Sequence, residues 1–145
     1  MSDSLEPDWR PKAVLFDLLT ALLDSWSLWS STLITLQHPS PSSKALAWRT
    51  RYLELTFDCG AYIPYEAIVT QAAEDVGLPG YAGDVLREKW AELEPWSEVK
   101  DVLGRLREKG YRLGVVTNCS RELGSVAAER VGVGFNAVVT AEEAG

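Results

Sequence analysis

Sulfur, imidazole and positive charge are scarce in this chain, and each scarcity removes a class of function. Cys59 and Cys119 are the only cysteines in 145 residues, too few for a disulfide scaffold, and this usage points to a reducing, cytoplasmic setting. The single histidine, His38, is followed by Pro39 in a turn sequence, so neither a Ser–His–Asp triad nor a histidine metal site can be built around it. Lys and Arg number 14 against 21 Asp and Glu, a net charge of −7. That balance argues against a nucleic-acid surface, which needs clustered cations. It leaves room for a small anionic substrate, because the field inside a cleft can differ in sign from the whole. No apolar run approaches the ~18 residues of a membrane span, and the polar start MSDSLEPDWRP does not read as a signal peptide. No repeat or low-complexity tract is visible. What remains is average for a globular protein, 46% hydrophobic and 24% charged. A chain of this length is expected to form one domain and to bury roughly two-thirds of its unfolded surface.

Three short apolar runs organise the chain. Ala13-Val14-Leu15-Phe16 ends at Asp17, Leu113-Gly114-Val115-Val116 ends at Thr117-Asn118, and Ala137-Val138-Val139 ends at Thr140. Continuous runs of this kind read as parallel strands buried on both faces, and the first is expected to be fully buried. Between the second and third, Leu123, Val126, Ala127 and Arg130 fall at helical spacing, with Gly132 as a stop. Ahead of the second run, Val99, Val102, Leu103 and Leu106 form one stripe. Ser97 is the expected cap, and Gly110 follows the cationic Arg107 and Lys109. Alternating helices and buried strands predict an α/β, doubly wound, Rossmann-like parallel sheet. The segment between the first run and Pro95 has no strand signal. Helical stretches are expected around Leu22–Leu36, Ser43–Phe57, Tyr65–Val76 and Ala82–Leu93, broken at His38–Pro41, Ile63-Pro64 and Leu78-Pro79-Gly80. The simplest organisation is a core of residues 11–19 and 96–145 with a helical cap, residues 20–95, inserted after the first strand.

Ligands of open parallel sheets bind outside the carboxyl ends of the strands. Asp17 and Thr117-Asn118 occupy two such ends, and the insert departs from the same edge. A strand-end aspartate is read equally well as a cap on the following turn.

The stretch Ala13-Val14-Leu15-Phe16-Asp17-Leu18-Leu19-Thr20-Ala21-Leu22-Leu23-Asp24-Ser25 resembles the first motif of the haloacid dehalogenase superfamily, whose nucleophilic aspartate ends the first strand. Leu113 to Asn118 resembles the second motif. Trp48-Arg49, followed by Tyr52-Leu53-Glu54-Leu55-Thr56-Phe57, and Glu94-Pro95-Trp96-Ser97-Glu98-Val99 resemble the cap helix and the return to the core of its 2-haloacid dehalogenase branch. The resemblance implies a catalytic set of Asp17, Arg49, Thr117 and Asn118. Asp17 would be the nucleophile and Arg49 the clamp for the substrate carboxylate and the departing halide. Asn118, Thr117 and the backbone after Asp17, at Leu18 and Leu19, would hold nucleophile and substrate. The branch needs no metal or other cofactor.

Departures from the family pattern sharpen the expectation. Phosphatases of the superfamily carry an acid two residues after the nucleophile to protonate a leaving alkoxide. Leu19 stands there and cannot donate a proton, whereas a halide needs none. The usual Gly-Thr is replaced by Thr20-Ala21, removing a flexible glycine and a hydroxyl near the nucleophile. The sequence also stops at Ala141–Gly145, before the family's Lys and later acidic motif. A fragment or short form, with an apolar strand edge left open to aggregation or pairing, is therefore expected. Trp26, Trp29, Trp48 and Trp90 suit either cap packing or the walls of an apolar pocket. Asp24 reads as a helix cap, Asn118-Cys119-Ser120 as a chance sequon and Cys119 as a small buried hydrophobe. The sequence thus predicts a hydrolase of small 2-haloacids acting through an aspartyl ester. The alternatives are a phosphatase or a non-catalytic binding protein on the same fold. Partners are expected to be a small anionic substrate and a second copy in a homodimer, with no nucleic acid or membrane.

Overall fold

A computed structural model describes residues 9–145; the polar start read against a signal peptide lies largely outside the described residues. The elements in chain order are β1 (Ala13–Asp17), α1 (Leu19–Leu22), α2 (Ser25–Thr35), α3 (Pro41–Phe57), α4 (Tyr65–Asp75) and α5 (Ala82–Glu88). A 3-10 turn (Trp90–Glu92), α6 (Val99–Glu108), β2 (Arg112–Thr117), α7 (Arg121–Arg130), β3 (Ala137–Thr140) and α8 (Ala141–Ala144) follow. This is the expected α/β alternation, with the predicted strands at their predicted places. The expected helix over Leu22–Leu36 is divided, because Leu23 is extended and Asp24 starts a new helix by accepting from the Ser27 amide at 3.0 Å. Pro41 opens α3 at a position where its missing N–H costs nothing. Gly110 ends α6 with φ of +89°, the left-handed closing turn that glycine adopts without strain. Ser97 does not cap α6. Its hydroxyl bonds to Glu98 Oε2, and the capping residue is Glu98, with no side-chain cap bond.

The three strands form one parallel sheet in the order β1-β2-β3. Register places Leu15, Gly114 and Ala137 in one row and Asp17, Val116 and Val139 in the next row on the same face. Phe16, Val115 and Val138 lie on the opposite face. That second face is the covered one. Leu113 and Val115 are buried, and α7 sits so close that a Cβ on Gly124 would come within 2.7 Å of Thr140 Cγ2. The first face is open among the described residues, with Leu15 66%, Val116 50% and Val139 41% exposed. The expectation of a fully buried first strand is therefore corrected: β1 is an edge strand whose residues alternate between exposed and half-buried. Both connecting helices lie on one side of the sheet when parallel strands advance in one direction with the usual crossover hand, so an apolar run alone does not guarantee cover on both faces.

The insert leaves and rejoins the sheet region at one place. Leu23 and Pro95 form an antiparallel bridge, the Asp24 amide donates to Glu94 O at 2.8 Å, and the Trp96 amide donates to Leu22 O at 3.1 Å. Its interior is held by a run of aromatic contacts. Trp48 meets Trp29 edge-on at 4.7 Å, Trp29 lies 5.9 Å from Tyr52, Tyr52 lies 5.1 Å from Tyr65, and Tyr65 lies 5.6 Å from Trp90. Each such pair contributes roughly 0.5–1.5 kcal/mol beyond the area it buries. The indole nitrogens are used at both ends of the run: Trp48 donates to Val69 O and Trp90 to Leu123 O on α7, each at 2.9 Å. Trp48 is completely buried, so truncating it creates a cavity and removes its bond to Val69 O. Trp48→Ala is expected to lower unfolding stability by about 3–5 kcal/mol, read from the midpoint of urea unfolding.

Candidate active site

Two strand ends and one helix supply the candidate residues. Asp17 closes β1 and is exposed; Asn118 follows β2 and is also exposed; Arg49 and Tyr52 sit three residues apart on α3, hence on one helix face. Leu18 is fully buried, so its side chain serves the core and only its backbone remains for a ligand. Leu19 opens α1 and is half-buried.

Arg49 is the electrostatic centre of this edge. Its Nη2 donates to Thr20 Oγ1 at 2.6 Å, and its guanidinium carbon lies 3.8 Å from the centroid of the Trp26 ring. A cation over an indole face is attracted by the ring quadrupole, more so where water is excluded. Nη1 is shielded from solvent and has no hydrogen-bond partner among the described residues. Burial lowers the Arg49 pKa, opposed by the nearby Tyr65, Tyr52 and Asp17, and a guanidinium remains charged through such a shift. Among the described residues, Arg49 takes part in no ion pair; the arginines paired to carboxylates are Arg51, Arg87, Arg105, Arg121 and Arg130.

The insert and the sheet meet through polar bonds at the same edge. Asn118 Nδ2 donates to Tyr52 Oη at 2.7 Å, Ser120 Oγ donates to Glu66 Oε1 at 2.7 Å, and Trp96 Nε1 donates to Thr20 O at 2.9 Å. Farther out, Arg87 pairs with Glu122 at 2.9 Å, and Arg130 donates to Leu93 O at 2.8 Å and to Glu94 at 2.6 Å. Burial drives the pKa of Tyr52 well above the ordinary phenol value, so its proton stays in place. Thr117 is turned elsewhere. It is buried on the face covered by α7, one residue out of phase with the row of Asp17, and its hydroxyl donates to Cys119 Sγ at 3.4 Å. Among the described residues, no group of three His, Cys, Asp or Glu side chains gathers as a metal-binding set, and no helix is long and apolar enough to cross a membrane.

Of the sequence candidates, the structure gathers Asp17, Arg49 and Asn118 at the carboxyl edge. It adds Thr20 and Tyr52, to which the sequence assigns no functional role, and brings Trp26, a candidate pocket wall, against Arg49. Tyr52 was within reach of a helical-face argument from Arg49. The pairing of Trp26 with Arg49 was not, since the two meet only through the packing of α2 on α3. Thr20 was noted for what it replaces, whereas its hydroxyl supplies the anchor of Arg49.

Two measurements check this geometry. Thr20→Val keeps the shape and removes the acceptor, and is expected to cost about 1.5–3 kcal/mol of unfolding stability. A double-mutant cycle with Arg49→Met should show the two costs to be coupled, and simple additivity would refute the anchoring bond. Burial pushes the Cys119 thiol from its ordinary 9.0 up to about 12. A thiol whose folded pKa is raised stabilises fully below pH 9 and loses that contribution as pH climbs toward 12. Cys119→Ala should therefore flatten the alkaline fall in stability, and in the native protein a thiol reagent at pH 8 should modify the half-buried Cys59 alone.

Comparison with known proteins agrees with this architecture. The model of the haloacid dehalogenase-like hydrolase family matches residues 14–145. Haloacetate dehalogenase H-2 of Moraxella sp. (strain B) is 29% identical over 121 residues, which are 77% of this chain and 53% of that protein. The structure of L-2-haloacid dehalogenase from Xanthobacter autotrophicus with chloropropionic acid covalently bound superposes with a TM-score of 0.75 at 20% identity, over 90% of this chain and 57% of the other. The L-2-haloacid dehalogenase RSc1362 superposes with a TM-score of 0.76 at 23% identity, over 91% of this chain and 64% of the other. The chain thus spans about half the length of the curated relative that it matches, and the structural likenesses speak for the fold. With the family match running from the first strand to the last residue, the chain belongs to the haloacid dehalogenase-like hydrolases.

Proposed function

We propose that this protein cleaves the carbon–halogen bond of a small 2-haloacid, with Asp17 as nucleophile, Arg49 as anion clamp and residues 20–95 as the cap over the site. The observation that carries the proposal is the unpartnered, solvent-shielded Nη1 of Arg49 at the same edge as Asp17. A buried donor on a permanent cation is costly unless an anion completes it, and the substrate acid, its halide, or both in turn would do so.

In the first step an Asp17 carboxylate oxygen bonds to C2 of the acid, and the halide leaves with the electron pair of the broken bond. No proton is needed, which is compatible with Leu19 two residues after the nucleophile. In the second step water attacks the carbonyl carbon of the Asp17 ester. The 2-hydroxy acid departs carrying one proton from water, and Asp17 keeps the water oxygen and loses the remaining proton to solvent. Asn118, exposed at the end of β2, would give the amide hydrogen that Tyr52 does not take to the negative charge that develops during either step. The hydroxyl of Thr117 is already committed to Cys119 and is left out of this scheme. The indole of Trp26, 41% exposed, forms one apolar wall and keeps Arg49 facing the site.

The test is halide release from 2-chloropropionate and chloroacetate, followed by ion chromatography. Asp17→Asn is expected to abolish release, and single turnover in heavy-oxygen water should place the label on Asp17 before it reaches product. Unchanged turnover in Asp17→Asn would sink the mechanism. Release of phosphate from small esters in place of halide would transfer the reading to a phosphatase.

A further inference from the structure

We infer that the hydroxyl of Tyr52 is the second donor of an anion pocket whose first donor is Arg49 Nη1, and that the pair makes this site selective for a compact anion. The inference rests on the reading of Arg49 as anion clamp and extends it to a residue of the same helix face.

A phenol oxygen accepts hydrogen bonds and also has one proton to give. Tyr52 Oη already accepts from Asn118 Nδ2 at 2.7 Å, and no described hydrogen bond uses its own proton. Arg49 is in the same position: Nη2 is taken by Thr20, one face of the guanidinium is covered by Trp26, and Nη1 is left without an acceptor. Two unused donors thus belong to residues one helical turn apart, in aromatic surroundings. Trp29 and Tyr65 lie 5.9 Å and 5.1 Å from the Tyr52 ring. Neither donor is lost near neutral pH, since burial holds the phenol proton and the guanidinium does not titrate. Asn118 fixes the phenol oxygen from the β2 side, so the pocket joins the end of the sheet to the insert.

What the pair would take is a single negatively charged acceptor without bulk, because Nη1 is shielded from solvent. A halide ion and one oxygen of a carboxylate both answer that description, and they correspond to product and substrate of the proposed reaction. Asp17 raises the pKa of Arg49 and of Tyr52 alike, which places the nucleophile within electrostatic range of both donors.

The experiment is calorimetric titration of the full chain with bromide and, separately, with propionate. Wild type is expected to bind at least one of them, and Tyr52→Phe to weaken that anion roughly tenfold, the scale of one hydrogen bond to a charged group. Loss on bromide identifies a halide pocket and loss on propionate a carboxylate pocket; both support the inference. Tyr81→Phe makes the same chemical change on an exposed ring and should leave both titrations unaltered. Equal affinities in wild type and Tyr52→Phe would overturn the role of Tyr52 while leaving the clamp role of Arg49 intact. Failure of wild type to bind either anion would overturn the pocket, and halide release would then decide separately whether the proposed reaction survives. If Tyr52→Phe does not fold, wild-type crystals soaked in the anion that binds supply the answer. Density bridging Tyr52 Oη and Arg49 Nη1 supports the pair, and density on Arg49 alone refutes it.

Discussion

A guanidinium partly withdrawn from water, with no carboxylate paired to it among the described residues, is the constraint around which this edge of the molecule is arranged. The cost of desolvating Arg49 is met by a hydroxyl, Thr20, and by an indole face, Trp26. Neither neutralises the charge. An ion pair would have spent the cation on structure, as Arg51 is spent on Asp75 and Glu54 on the same helix. Holding Arg49 with neutral groups leaves its charge without a paired carboxylate among the described residues, in an otherwise acidic chain.

Arg49 stays at this edge only if the insert is held against the core, and the contacts that do this are distributed. The aromatic run from Trp48 to Trp90 stiffens the insert from within. Its last member donates to Leu123 O on α7. Tyr52–Asn118 and Glu66–Ser120 join insert to sheet beside the site, while Arg87–Glu122 and Arg130–Glu94 do so at exposed positions. The exposed pairs are screened and individually weak. The buried hydrogen bonds set the geometry because leaving either partner unmade is expensive.

Much of the fold was legible from local pattern. The three apolar runs became the three strands, and the breaks at proline and glycine fell where helices end. The misreadings share one physical cause, which is that neighbours in space were invisible. Ala13–Phe16 carries the composition of a strand buried on both faces, yet Leu15 is exposed on the open face of the sheet. Ser97 has the right chemistry for a cap, but its hydroxyl found Glu98. Thr20-Ala21 looked like the loss of a glycine and a hydroxyl. In three dimensions the Thr20 hydroxyl is the one that holds Arg49.

The sequence by itself determined the alternation of helices and strands, the position of Asp17 and Asn118 at strand ends, and the family. Those features depend on the period of side chains along the backbone and on short motifs. Only the tertiary structure decided which donors at the site are spent and which are free. Arg49 and Thr20, Arg49 and Trp26, and Tyr52 and Asn118 are distant along the chain and adjacent in space. Their hydrogen-bond inventory exists only once α2 and α3 have packed together over the edge of the sheet.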